Sequence, residues 1–406
     1  MSATVAAEEA VAGAPPPIAR DSFLLAGSLF LVVATTNIMT PLLPDIRTDF
    51  GVSIATAGVI VGSYGLARLL IDLPAGFVSD RIGHRRISLA ALLLLVASCF
   101  VGLNASSVEL LILARAGSGV SVAILATVIL SSLSATASPT NRGKVMSLFH
   151  VANNTGIAVY PLVGGLVGAT LGWRATFLVT LVLTLVAGAI LLPVLFRIDP
   201  RRAGSAQRSA GAGTRVLHGR ERAVAIAATN VGVVANMINR HGFRNTILPL
   251  YAATALGLGG ISIATAIALM SVTGLLVATP GGMLGDRIGR RRIITAGLAA
   301  IAAGDLVFLL TGDLVTFLLA AGLIGFGDFF SSSQTALLAE IVPPDLRTKV
   351  LGGYRFSADL GAFVGPVLLA AVMDLVNAQA AIVLAAAVLL TASLVARVGV
   401  PRTVDR

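Results

Sequence analysis

Charged side chains stand inside long apolar runs of this chain, where they are costly. Arg68 and Asp72 lie four residues apart in one run, and Arg355 and Asp359 repeat that spacing in another. Four residues is about one helical turn, so each pair shares a face and can neutralise itself. Asp328 stands about midway through a run with no basic residue nearby. Arg115 is about seven residues into its own run, about 10 Å along a helix. A charge in hydrocarbon costs several kcal/mol, so each of these groups is a functional candidate. Burial favours a protonated carboxyl, and a nearby arginine favours the ionised form. An arginine that moves relative to a carboxylate can therefore switch a proton on or off. On this chemistry Asp72, Asp328, Asp359, Arg68, Arg115, Arg355 and the titratable His150 are candidates for proton coupling. The plain alternatives are ion pairs that fix helix packing, an arginine satisfying backbone carbonyls, and a hydrogen-bonded histidine. Asp328 could also find Arg355 across a bundle.

Neutral hydrogen-bonding groups accompany the charges. Asn37, Asn153, Asn154, Asn236 and Asn239 lie in apolar runs and could face a polar cavity. Arg240-His-Gly-Phe-Arg244 could attract an anionic solute, or its arginines could snorkel to the surface. Other chemistries find no support. The single cysteine, Cys99, allows no intrachain disulfide, and no Cys/His cluster has metal-site spacing. No glycine-rich phosphate loop ends in Lys-Ser/Thr, and no nucleophile or acid/base cluster suggests an enzyme. No cofactor is expected.

These residues must be held by membrane-spanning elements. The 406-residue chain is 56% hydrophobic and only 12% charged, with mean hydropathy +0.93. So few charges cannot cover a water-soluble protein of this size. Twelve runs are long enough to span a bilayer as helices. In the first half they lie at about 22–43, 54–77, 87–106, 109–136, 146–169 and 175–196. In the second they lie at about 223–251, 259–280, 293–311, 314–338, 348–373 and 379–399. The expected class is an all-α membrane protein, with twelve transmembrane helices in two pseudo-symmetric six-helix bundles. Its divisions are a disordered tail (1–21), an N-terminal bundle (22–196), a linker rich in Arg, Gly, Ala and Ser (197–222), a C-terminal bundle (223–399) and a short tail (400–406).

The net charge of +10 is distributed by side. Of 29 Lys and Arg, Arg47 and Arg174 fall on one face. Arg68, Arg115, Arg240, Arg244 and Arg355 fall within helices, and the rest lie on the opposite face. This is the positive-inside asymmetry rather than a nucleic-acid patch. It predicts a multi-pass protein of the plasma (inner) membrane with both termini cytoplasmic. The expected partners are the lipid bilayer, a small-molecule substrate and protons, with the chain a monomer.

The halves repeat. Pro74-Ala-Gly-Phe-Val-Ser-Asp-Arg-Ile-Gly-His-Arg-Arg86 returns as Pro280-Gly-Gly-Met-Leu-Gly-Asp-Arg-Ile-Gly-Arg-Arg-Arg292, with eight of thirteen positions identical. Gly156-Ile-Ala-Val-Tyr-Pro161 aligns with Gly361-Ala-Phe-Val-Gly-Pro366, which matches His150 to Arg355 and Asn154 to Asp359. Different polar chemistry at equivalent depths fits one solute route between two related halves. The first repeat suggests gates built on Gly76, Asp80, Arg81 and Gly83, and on Gly282, Asp286, Arg287 and Gly289. Asp80 would meet the amide-rich start of the eleventh helix near Leu346 to Val350, and Asp286 that of the fifth near Arg142 to Met146. The glycines Gly156, Gly164, Gly165, Gly168, Gly361 and Gly365, with Pro161 and Pro366, would let helices five and eleven pack closely and slide.

With these motifs the chain resembles the major facilitator superfamily. Gly76-x-x-x-Asp80-Arg-x-Gly83-x-Arg-Arg86 and its copy from Gly282 to Arg292 are similar to the signature loop of that family. Arg115-Ala-Gly-Ser-Gly119 is similar to its intramembrane arginine motif. Gly156-x-x-x-Tyr160-Pro161-x-x-Gly164-Gly165 resembles its antiporter signature, with Tyr160 where the family has glycine. The resemblance implies a solute carrier working by alternating access. Helices 1, 4, 7 and 10 would line a central cavity, helices 2, 5, 8 and 11 would sit at the interface, and Asp305 in helix 9 would be peripheral. The expectation is proton-coupled efflux of a small organic or amphipathic solute, antiporter-like. A proton-coupled carrier of a sugar-like or anionic metabolite, and a transporter-like sensor, are the alternatives.

Overall fold

Each expected apolar run is helical in the computed structural model, which describes residues 19–138, 141–198 and 217–402. The helices are α1 (Arg20–Phe50), α2 (Ile54–Ile82), α3 (His84–Leu103), α4 (Val108–Thr136), α5 (Arg142–Leu171) and α6 (Ala175–Arg197), then α7 (Gly219–Met237, Ile238–Ile247 and Leu248–Ala255 in succession). They continue as α8 (Gly260–Ile288), α9 (Arg290–Leu310), α10 (Leu314–Ile341), α11 (Pro344–Leu375) and α12 (Ala378–Gly399). No strand occurs among the described residues. Eleven of these helices are long and apolar enough to cross a membrane. The twelfth, α7, opens on Arg220, Glu221 and Arg222 and is interrupted by polar residues from Asn236 to Asn245. The chain is an all-α, twelve-helix, multi-pass membrane protein. The side chains of Asp80 and Arg142, and the position of Gly76, lie outside what is described, as do residues 1–18 and most of the linker.

Turn chemistry differs between the two ends of the molecule. At the end away from the linker, polar side chains cap four of the six helices that start there. Ser53 accepts from the Thr56 amide, Ser107 from Leu110, Asp313 from Thr316 and Asn377 from Ala380. Each satisfies an amide the first turn leaves without a helical partner. At the linker end, α2 and α8 run several residues past the expected boundaries. They stop only at Gly83 and Gly289, whose φ angles of 89° and 103° a β-carbon would resist. The motif Asp-Arg-Ile is therefore the last turn of a helix rather than a loop.

Each half has its own core. Leu25, Leu95, Val128 and Leu191 belong to the N-terminal one. Phe243, Phe308, Phe317 and Leu389 belong to the C-terminal one, where Phe308 meets both other rings edge-on at 5.4 Å. The halves meet along α2 with α11 and α5 with α8. Near the far end the Ile54 amide donates to Asp374 across the halves. Deeper, a β-carbon at Gly65 would lie 2.8 Å from the Ala362 backbone, and Gly62 faces Phe363 and Val367. The expectation that the motif glycines of α5 and α11 form the sliding interface is corrected here. Gly164 and Gly168 pack on Ile38 and Leu42 of α1, and Gly361 and Gly365 on Val234 and Ile238 of α7, all inside their own bundles. Only Gly165 faces the other half, at Gly260 and Ala264.

Candidate functional site

Between the halves lies a cavity of about 380 Å³. Asn245 Nδ2 donates to Asn37 Oδ1 at 3.3 Å, a bridge across the halves on the far side. From that layer the cavity runs towards the linker end, reaching Leu130, Leu275 and Ala278. The cross-half contacts on the far side close that face.

The cavity gathers many of the expected residues. Asn37, Arg68, Asp72, Asn153, Asn154 and Arg240 line it, with Asp328, Arg355 and Asp359. Arg68 is the shared partner of two carboxylates. Its Nη2 donates to Asp72 Oδ2 at 3.2 Å on the same helix, and its Nε lies 3.4 Å from Asp359 Oδ1 across the halves. Arg355 was expected to pair with Asp359 along α11. It is instead exposed, with no ion pair among the described residues, because Asp359 is turned towards α2. Arg240 likewise lines the cavity without a described ion pair or hydrogen bond.

Asp328 is paired after all. Arg244 Nη1 donates to its Oδ2 at 2.6 Å and Nη2 to its Oδ1 at 3.1 Å. The same guanidinium donates through Nε to Asn239 Oδ1 at 3.0 Å, and Asn239 Nδ2 donates to Asp305 Oδ2 at 2.5 Å. One chain of hydrogen bonds thus leads from the cavity wall to a fully buried carboxyl on α9. Snorkelling by Arg244 and a peripheral Asp305 are both corrected. The cause is the π-helical stretch Ile238–Ile247, whose wider ladder turns Arg244 inward. No sequence signal marks such a stretch.

Four expected residues do not line the cavity. Arg115 donates to the Thr35 carbonyl at 2.7 Å and stacks 5.0 Å from the Tyr64 ring, whose hydroxyl bonds Thr36. It braces α1, α2 and α4. His150 is exposed beside Phe149. Asn236 is buried, its Oδ1 without a described partner, and Asn239 belongs to the chain above. Of the gate residues, Arg81 and Arg287 are exposed on the last turns of their helices. Asp286 is bound by Arg290 at 2.5 Å, and Arg290 also donates to Glu340 at the end of α10. The described polar contact of Asp286 is thus inside its own half, in a state where the halves are joined at the other face.

A family model described as Major Facilitator Superfamily matches residues 25–240 and again 230–406. Among similar proteins, the cephamycin export protein CmcT of Amycolatopsis lactamdurans is 30% identical over 285 residues, 70% of this chain. The match spans 54% of the length of that protein. A chloramphenicol resistance protein of Streptomyces lividans is 26% identical, over 86% of this chain and 88% of the relative. The crystal structure of a peptide transporter, POT, superposes with a TM-score of 0.76 at 15% identity, covering 95% of this chain and 94% of the other.

Proposed function

Because this chain belongs to the major facilitator superfamily and is a membrane transporter, we propose that it exports a small organic solute in exchange for protons. The observation that carries the coupling is the position of Arg68, 3.2 Å from Asp72 and 3.4 Å from Asp359. One guanidinium serves a carboxylate in each half. If the halves rock apart at the far face, Arg68 keeps Asp72, four residues away on its own helix, and leaves Asp359. A carboxylate stripped of its cation in a low-dielectric wall is strongly disfavoured, and a proton removes the penalty. Opening towards the far face and protonation of Asp359 are thereby linked. Return to the present state restores the ion pair and releases the proton on the linker side. Asp328, held by Arg244, is the second coupling candidate.

Two of the similar proteins are an export protein and a resistance protein, which favours the outward direction. The basic linker face is assigned to the cytoplasm, which places both termini there. Asp80 and Asp286 are assigned as latches of the opposite conformation, and the carrier as a monomer of two six-helix bundles joined by residues 197–222.

The test uses inverted membrane vesicles that build a pH gradient, read by an acridine dye. Aryl compounds bearing an acid, alcohol or amine group are added in turn. A transported compound dissipates the gradient in vesicles with the wild-type chain and not in control vesicles. Asp359→Asn should abolish the response while the protein remains folded. Dissipation at the wild-type rate in that variant removes Asp359 from the coupling role.

A further inference from the structure

The two walls of the cavity share apolar lining but differ in where cations without a described ion pair stand. From the N-terminal half come Val33, Val122, Ala126, Leu130, Phe149 and Ile157. The charges on that side are Arg68 and Asp72, bound to each other and to Asp359. The C-terminal half adds apolar lining in Ile267, Met270 and Leu275, and its charges are Arg240, Arg244, Asp328, Arg355 and Asp359. Four arginines and three aspartates line the space, so the ionised lining is cationic by one charge. The carboxylates are also unevenly committed. Asp328 is taken by both amino groups of Arg244, and Asp72 and Asp359 by Arg68. Asp305 lies behind the wall and reaches Asn239, not Arg240 or Arg355. The two cations without a described ion pair, Arg240 and Arg355, therefore both belong to the C-terminal wall.

We infer that the cavity takes an amphipathic organic anion, its acid group attracted to the C-terminal wall by Arg240 and Arg355 and its apolar body laid against the apolar lining of both halves. A guanidinium in a partly desolvated wall, as that of Arg240 is, binds a carboxylate by charge-assisted hydrogen bonds, and the exposed Arg355 adds a longer-range attraction that likewise disfavours cationic heads. Transfer of apolar surface from water to Val33, Val122 and Ile157 supplies affinity without head-group selectivity. The volume of about 380 Å³ lies in the range of small-ligand pockets, near its lower end. Neutral partners for a second polar group are at hand in Asn153 and Asn154 of α5. This inference rests on the proposed carrier function and narrows its solute to one charge class.

The test compares three ligands with one body: 4-phenylbutyrate, 4-phenylbutanol and 4-phenylbutylamine. Binding to the purified full-length chain in lipid nanodiscs is measured by titration calorimetry at neutral pH. The acid should bind at least about tenfold more tightly than the alcohol or the amine. Arg240→Gln and Arg355→Gln should each weaken the acid by about tenfold and leave the alcohol unchanged, with thermal unfolding confirming that both variants fold. Equal or tighter binding of the amine or alcohol overturns the inference, as does absence of binding by the acid. Acid binding that survives both substitutions overturns the assignment of the two arginines. The vesicle assay separates this failure from that of the carrier function. Gradient-driven movement of the amine or alcohol keeps the carrier while removing the anion. A gradient that none of the three dissipates counts against both.

Discussion

Replacing Arg244 by methionine leaves the Asp328 carboxylate in the cavity wall without its two short hydrogen bonds, and takes the Nε donor from Asn239. Removing one member of a buried ion pair costs about 3–5 kcal/mol, because the other charge is stranded. The Asp328 side chain is 13% exposed and Arg244 7%, so cavity water reaches the carboxylate first. The lower end, about 3 kcal/mol, is therefore expected for Arg244→Met. Asp328→Leu strands the arginine, which keeps only Asn239, and should cost as much or more. The double variant Arg244→Met/Asp328→Leu strands neither and should lie within about 1 kcal/mol of the wild type, since an apolar pair of similar volume is often neutral. Three kcal/mol is about two powers of ten in the unfolding equilibrium. The assay is unfolding of the purified protein in detergent micelles titrated with dodecyl sulfate. Helical circular dichroism is the suitable signal, since the single tryptophan, Trp173, sits in the other half. Losses that add in the double variant, or a single variant as stable as the wild type, would refute a mutually neutralising buried pair.

Three further outcomes follow from the geometry. Gly65→Leu pushes a side chain into the Ala362 backbone and should hold the far face open; a cysteine placed at Asn245 should then react with an impermeant maleimide added from that side, and an unreactive cysteine would count against this interface. The native Cys99 is buried and should stay unlabelled in the same experiment, with rapid labelling contradicting its packing. Asp313, outside the membrane-spanning helices, is held below the ordinary carboxylate range by hydrogen bonds from the Thr316 amide and side chain. Its stabilising contribution is present above the unfolded carboxylate value and is lost as pH falls through its folded value, so amide exchange at 314–317, corrected for its intrinsic pH dependence, should rise in acid and in Asp313→Ala alike.

The twelve helices were legible because each is an apolar run, and several are bounded by residues with a local job. Ser53, Ser107, Asp313 and Asn377 cap, and Gly83 and Gly289 turn. Such signals act within a few residues. The charged site is different. The spacing of Arg355 and Asp359 suggests a local pair, yet Asp359 goes to Arg68 in the other half. Helix periodicity says which residues share a face and is silent on which face meets a distant helix. The sequence around Arg244 leaves a solute and the surface both open to it, and the π-helical ladder of Ile238–Ile247 turns it instead to Asp328. Asp305 is peripheral on the family resemblance, which puts helix 9 outside the cavity, yet Asn239 reaches it from α7. The interface glycines of α2 carried no motif, while the motif glycines of α5 and α11 mostly serve their own bundles.

The π-helical stretch Ile238–Ile247 also has a mechanical meaning. A ladder bonded five residues apart stores one more residue per turn-sized window than one bonded four apart. Rewinding it to an α-helix would pass that surplus residue along α7 as a register step of about 1.5 Å with about 100° of rotation. Leu248–Ala255 would advance against Gly219–Met237 by that unit, and the side chains between would swing round the axis. Arg244 would carry its charge away from Asp328, and Asn245 would let go of Asn37. The seventh helix thus contains a one-residue gear, able to trade a polar contact on the cavity floor for a discrete turn of its shaft.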